Sequence, residues 1–410
     1  MLRKRSEHGQ ALILIALAIV GLVGMTGLVV DGGNAFLDRR RAQNAADTAA
    51  LAGAVTRIRG GSSWVEKTMQ VAAQNGYDNN GTTNSVEVQS PPVSGPYAGD
   101  IEYIQVIITS RVKTYLASVV GWREITNTVS AVARSKMPEY KEILNGNAVI
   151  SLAQTSDCEN EKAFWAHGEA TLDITGGGVF VNSNNPTCAF IQQGNGSIRI
   201  RDDHSINVVG GASIQKPQLL TPGVSTGAIP FGSQPFIMPK VGCKKAAEVS
   251  EDGSTMSPGF WGDQFPPDGV KTLESGNYCI DGDFIVNDNT ELGGNNVVIK
   301  VERGLVRFNG NATINLSAPK SGDLAGLLIY LPPDNHNKVI LNGNNQSSFK
   351  GTILAPGSVI HINGNDSSTG FHSQIIGYRI DLDGNSNVVV VYKDDQNYDA
   401  LSMPEVQISQ

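Results

Sequence analysis

Between Gln10 and Asp31 the chain reads ALILIALAIVGLVGMTGLVV, twenty residues without a charge. Wound as a helix rising about 1.5 Å per residue, this run is about 30 Å long, the thickness of a bilayer's hydrocarbon core. A secretory signal has an apolar stretch of about 7–15 residues that ends at a small-x-small cleavage site. This run is longer, and Asp31-Gly32-Gly33-Asn34 is a poor cleavage context. The expectation is a retained transmembrane helix over residues 11–30, with 1–10 as a short tail.

Positive charge flanks the run on both sides, with Arg3, Lys4 and Arg5 before it and Arg39, Arg40 and Arg41 after it. The positive-inside rule alone therefore ties. The four cysteines, Cys158, Cys188, Cys243 and Cys279, break the tie, because all lie in the body and none has CxxC spacing. Paired cysteines belong outside a reducing cytosol. The tail is expected inside and the body extracytoplasmic, with buried free thiols as the plain alternative to two disulfides. A net charge of −8 argues against a nucleic-acid partner, which needs a basic surface.

Past the span, Ala42, Ala45, Ala46, Ala49, Ala50 and Gly53 recur at helical spacing. A stripe of such small side chains lets another backbone approach closely. It fits a helix-assembly face and equally a helix packed on its own sheet. The whole stretch from Gly9 to Ala54, GQALILIALAIVGLVGMTGLVVDGGNAFLDRRRAQNAADTAALAGA, resembles the N-terminal signature of the TadE/TadG-like proteins of Tad (Flp) pilus assembly. The shared features are an uncharged helix, an Asp-Gly pair at its end, an Arg cluster, and Gln-Asn-Ala-Ala-Asp before an Ala-rich turn. Residues 64–134 resemble that family's short α/β region. The resemblance implies a single-pass envelope protein whose partners are other Tad pilus components. Cleaved relatives carry Glu at the fifth mature position, whereas cleavage after Gly9 would place Leu14 there.

From Val65 to Asn75 the apolar residues are helically spaced. Alternating segments around Val86, from Ile101 and from Ile125 predict three strands, and Lys113–Trp122 a short helix ended by Gly121. Residues 31–138 thus predict a small, pilin-like α+β module.

The remainder is rich in Gly and Asn, and only 17% of the chain is charged. VRFNGN at Val306, VILNGN at Val339, IHINGN at Ile360 and IDLDGN at Ile380 repeat one pattern, with a looser copy, EILNGN, at Glu142. The last three begin 21 and 20 residues apart, close to one turn of a β-solenoid. A strand buries alternate side chains, and Asn-Gly then supplies a sharp corner. Hairpins also use Asn-Gly, but strands in sandwiches are spaced at about 8–12 residues. The fold class expected is therefore all-β, a parallel β-helix over residues 139–400 with an aperiodic excursion at 221–268, and 401–410 as a tail. Neighbours along a solenoid are neighbours in sequence, so Cys158 is expected to pair with Cys188, and Cys243 with Cys279.

Parallel β-helices also serve polysaccharide-cleaving enzymes that use carboxylates and basic residues on one face. The candidates here are Asp202, Asp203 and His204, or Asp381 and Asp383 with His361 and Arg379. Acidic residues are ordinary at strand ends, and neither nucleophile nor metal cluster accompanies these. Asp381 to Asn387 presents oxygen ligands at alternate positions but lacks the closing Glu of a calcium loop. No phosphate loop or nucleophile elbow occurs. The expected function is non-enzymatic and cofactor-free, that of a membrane-anchored structural and adhesion protein of pilus assembly. The alternative is a surface-tethered polysaccharide-binding or polysaccharide-degrading β-helix.

Overall fold

The computed structural model describes residues 8–232, 235–309, 311–343, 347–364, 369–385 and 387–409. Most of the N-terminal tail and, from the repeat corners, Gly310 and Asn344 lie outside them, as does Ser386. The chain divides into two units, Met1–Pro138 with Met403–Gln410, and Glu139–Ser402.

The first unit is a long helix, α1 (His8–Ile58), a shorter one, α2 (Trp64–Gln74), and an antiparallel sheet. The sheet joins β1 (Asn84–Gln89), β2 (Tyr103–Lys113) and β3 (Glu124–Lys136) in sequence order. Its core comes from alternation: Ile104, Val106, Ile108, Val129, Ala131 and Ala133 point inward against the alanines of α1. Two expectations change here. Lys113–Trp122 holds only a single 3-10 turn, Ala117–Val120, ended by Gly121 at φ 94°. The C-terminal residues expected as a tail instead form a fourth strand, Glu405–Ser409, antiparallel to β3.

The second unit is a three-sided parallel β-helix, with every strand of the two long sheets paired in parallel. Its chain order and spatial order differ. From Val149–Ser151 the rungs stack in one direction through Val179–Val181 and Ile206–Val208 to Val224–Thr226. The chain then crosses to the opposite end and resumes at Thr255–Met256 and Gly259–Trp261. From there rungs stack back through Gly276–Ile280, Val297–Val301, Leu327–Tyr330 and Thr352–Gly364 to Ile375–Gly384. This last strand closes onto Val149–Ser151 and Phe164–Ala166, so the latest rung in sequence is seated on the earliest. The crossing is shorter than the excursion expected at 221–268, because its two ends are rungs.

The last three repeats stack as their spacing predicts, Val339 on Ile360 and Ile360 on Ile380, and Val306 stacks on Val339 across a longer connection. Asn342, Asn363 and Asp383 fall in one column. Inside, Phe265, Phe284, Phe308, Phe349 and Phe371 form a continuous ladder with ring centroids 5.0–5.3 Å apart, all buried. Rings at this spacing gain edge and stacking energy beyond their burial. The looser copy at Glu142 is not a rung. Tyr140–Glu142 is an edge strand antiparallel to Asp399–Ser402, and Ile143–Gly146 turns sharply with Leu144 and Asn145 at φ 56° and 61°. Entry and exit strands of this unit are thus side by side.

Candidate functional site

Helix α1 has two differently built halves. From Leu12 to Val30 nearly every large apolar side chain is exposed, and this helix is long and apolar enough to cross a membrane. From Asp31 onward one face is buried, through Ala35, Ala42, Ala45, Ala46, Ala49, Ala50 and Ala54. Two aspartates seven residues apart, Asp31 and Asp38, tie the helix to the β2–β3 connection and to the sheet. The Asp31 carboxylate accepts the backbone N–H groups of Tyr115 at 2.8 Å, Leu116 at 3.0 Å and Ala117 at 2.7 Å. These are the donors left unsatisfied at the start of the 3-10 turn, met by a carboxylate from a distant helix instead of a local cap. Asp38 accepts the Tyr77 hydroxyl at 3.1 Å and the Asn127 amide at 2.8 Å, together with the Ser110 hydroxyl. The sequence marks Asp31 only as part of the Asp-Gly pair and does not single out Asp38, since only the fold brings their donors to them.

The small-residue stripe proposed as an assembly face is occupied. Ala42, Ala45, Ala46 and Ala49 pack in the core of their own unit, and Gly53 allows α2 to approach so closely that a Cβ there would lie 2.2 Å from Thr68 Oγ1. The stripe therefore serves the module's own helix–sheet packing. The outward face carries Phe36, Leu37, Arg40, Asn44 and Thr48, all exposed.

On the β-helix, His361 and Asp381 lie opposite each other on adjacent rungs, and the next rung brings Trp165. Asp381 accepts His361 Nδ1–H at 3.0 Å through one oxygen and His167 Nε2–H at 2.8 Å through the other. Asp383 Oδ1 lies 3.4 Å from His167 Nδ1 and accepts the Gly384 N–H at 2.7 Å. Burial pushes the Asp381 carboxyl up, but the hydrogen bonds from His361 and His167 outweigh it and the net shift is downward. Arg379 is drawn away to Glu161 at 2.8 Å. His167 had no local signal, because it stands 214 residues from Asp381 and reaches it only through the closure of the two rung series. Both oxygens of the carboxylate are engaged. The faces of Trp165 are taken by the His167 ring at 3.4 Å and by Lys162 Nζ at 3.3 Å.

The other acidic candidates do not converge with this cluster. Asp202 accepts the Gly176 N–H at 2.5 Å. Asp203 and His204 border an open cavity of about 510 Å³ beside Phe180 and Phe231. Among the described residues no group of three His, Cys, Asp or Glu is arranged to hold a metal ion.

Cys158 is bonded to Cys188 and Cys243 to Cys279, with Cα–Cα distances of 5.5 and 6.0 Å. The first links adjoining rungs. The second ties the crossing segment to the strand Gly276–Ile280. Disulfides of this kind persist in oxidising compartments.

Residues 9–56 match the family model described as putative Flp pilus-assembly TadE/G-like, a span that takes in nearly all of α1. Nothing among curated proteins or solved structures matches the chain. The chain thus carries a Tad-type N-terminal segment, in which an exposed apolar helix runs without a break into a folded module, followed by a β-helix unit.

Proposed function

We propose that this is a single-pass envelope protein of Tad-type pilus assembly, anchored by residues 11–30 with its two folded units outside the cytoplasm. The observation that carries the reading is the change in α1 at Asp31. On one side the helix exposes apolar side chains that water would not tolerate, and on the other it is the central element of a soluble core. The Tad-type match over the same helix supports the assembly role. The disulfides support the extracytoplasmic side. With the alanine stripe covered, the exposed face at Phe36, Leu37 and Arg40 is the side of α1 left for other assembly components.

The β-helix would act as a structural or adhesive surface, without turnover. Each oxygen of the Asp381 carboxylate already accepts an imidazole N–H, and a tryptophan covered on both faces offers no stacking platform for a sugar. The test is cell fractionation with protease shaving. The body should be cleaved from intact spheroplasts, the N-terminus should stay with the membrane, and the protein should co-purify with surface filaments. Full protection of the body, or a mature chain starting after Val30, would overturn the reading.

A further inference from the structure

The segment between β2 and β3 lies beside the membrane-spanning half of α1. Leu116 packs against Gly27, where a Cβ would approach Leu116 Cβ to 3.0 Å, and Asp31 one turn further on holds the backbone of residues 115–117. Together with Val20, Val23 and Leu28, this segment lines an open apolar groove of about 750 Å³. Leu116 is therefore level with a part of the helix about one turn, or about 6 Å, below Asp31 on the membrane side. The tip is apolar and outward-facing, with Tyr115 70%, Val119 84% and Trp122 73% exposed.

We infer that residues 115–122 form a second membrane contact, a loop whose apolar tip dips into the outer leaflet next to the helix. The inference rests on the anchored reading above. Three features commit the surface to lipid. It is continuous with the span, so what surrounds Gly27 also surrounds Leu116. Tyr115 and Trp122 bracket the tip, the two residue types that favour the bilayer interface, and exposed Lys113 and Arg123 stand just beyond them, placed for anionic headgroups. Polar backbone groups, which lipid punishes when unpaired, are largely satisfied within the segment. Asp31 takes three N–H groups, and the N–H groups of Val119, Gly121 and Trp122 bond to Leu116, Ser118 and Ala117 carbonyls at 3.1–3.2 Å. The Tyr115 carbonyl accepts the Ser118 hydroxyl at 2.7 Å, and the Thr114 hydroxyl donates to the Trp122 carbonyl.

The test is depth-dependent fluorescence quenching of the full-length protein in phosphatidylethanolamine–phosphatidylglycerol nanodiscs. Trp122 is kept as the only tryptophan by replacing Trp64, Trp165 and Trp261 with Phe. Its emission should shift to shorter wavelength and be lost when the lipids are brominated near the headgroup end of the acyl chain, while aqueous iodide should have little effect. Quenching by iodide and not by brominated lipid would overturn the inference. So would protection from both quenchers, which would mean that protein rather than lipid covers the tip. A parallel chain with Leu17→Trp as its only tryptophan reports the anchor itself. If it is quenched by mid-chain bromine while Trp122 is not, the loop inference fails and the anchor stands; if neither is quenched, both fail. Should the triple replacement not fold, the wild-type tryptophans are retained and Val119→Trp is added at the exposed tip, where extra lipid quenching over the parent is expected and its absence counts against the loop.

Discussion

Gly53 of α1 and Thr68 of α2 touch: there is no room for even a methyl group between the Gly53 backbone and the Thr68 hydroxyl, which donates to the Trp64 carbonyl at 2.7 Å. A glycine inside a helix normally weakens it by about 1 kcal/mol relative to alanine, so its presence signals that close approach is worth more here than propensity. Gly53→Ala is expected to lower stability by about 1–2 kcal/mol, the cost of overpacking less the gain in propensity. Adding Thr68→Ala should recover much of the loss, since it removes the clashing oxygen. Thermal melts of the four variants in detergent check this double cycle, and additive effects would count against the contact. By the same reasoning Ala46→Trp should disrupt the fold of the module.

Ile362 lies between Leu341 and Leu382 in the β-helix lumen, and all three are fully buried. Ile362→Asp would put an unpaired charge there and should cost several kcal/mol, on the order of 4 or more. A variant that melts with the parent would show that the lumen assignment is wrong.

The rungs at Val339, Ile360 and Ile380 were legible because each writes its corner as Asn-Gly or Asp-Gly and its spacing is nearly constant. The earlier rungs were harder to read. Phe164–Ala166 and Phe190–Gln192 carry no Asn-Gly-Asn signature, and their connecting loops vary in length. Nothing local tells Ile380 that its upper neighbour is Phe164, since that pairing is chosen by the complementarity of two exposed solenoid ends. The copy at Glu142 misled for the opposite reason. Its Asn145-Gly146 supplies left-handed residues, but for a turn into the first rung. The Ala42–Gly53 stripe fits both packing modes in sequence, and only the sheet built from distant strands decides between them. The strand Glu405–Ser409 has few large apolar residues and no turn beside it, so nothing distinguished it from a tail.

The disulfide Cys243–Cys279 fastens a crossing that has few rungs of its own. It closes 36 residues, and Cys158–Cys188 closes 30. In the chain-entropy view each contributes about 3–4 kcal/mol. Cys243→Ser with Cys279→Ser is expected to make residues 238–254 the first site of limited proteolysis, ahead of global unfolding. Removing the other pair should lower the melting temperature without opening the crossing. Peptide mapping of timed digests separates the two outcomes.

Acid should weaken the contact between the rungs at Ile360, Ile380 and Phe164. The Asp381 carboxyl, raised by burial but lowered further by its two histidine partners, titrates below the ordinary carboxylate range. A depressed folded value means that the unfolded chain binds the proton first as pH falls. Its stabilisation is therefore complete above the unfolded value and lost as pH drops through the folded one. Asp381→Asn should destabilise the protein by about 1–2 kcal/mol near neutrality, the scale of a charged hydrogen bond. The difference from the parent should shrink in acid below the usual carboxylate range. Denaturant unfolding at neutral and acidic pH measures the convergence, and a constant gap would remove the linkage.

The same residue separates the structural reading from the catalytic one. An acid–base pair for glycoside cleavage needs two carboxyl groups facing a cleft that admits a sugar ring. Here Asp381 is held between His361 and His167, Asp383 is bound to its own turn, and the neighbouring indole is sandwiched. Below the temperature at which the variants unfold, His361→Ala and Asp381→Asn should therefore leave filament recovery and surface attachment at the level of the parent. Changing the outward face of α1, by Phe36→Glu with Leu37→Glu, should reduce recovery with the pilus fraction while circular dichroism stays unchanged, because these side chains touch no core. Release of reducing ends from an envelope polysaccharide by the purified protein, lost in Asp381→Asn, would instead make the cluster a catalytic centre.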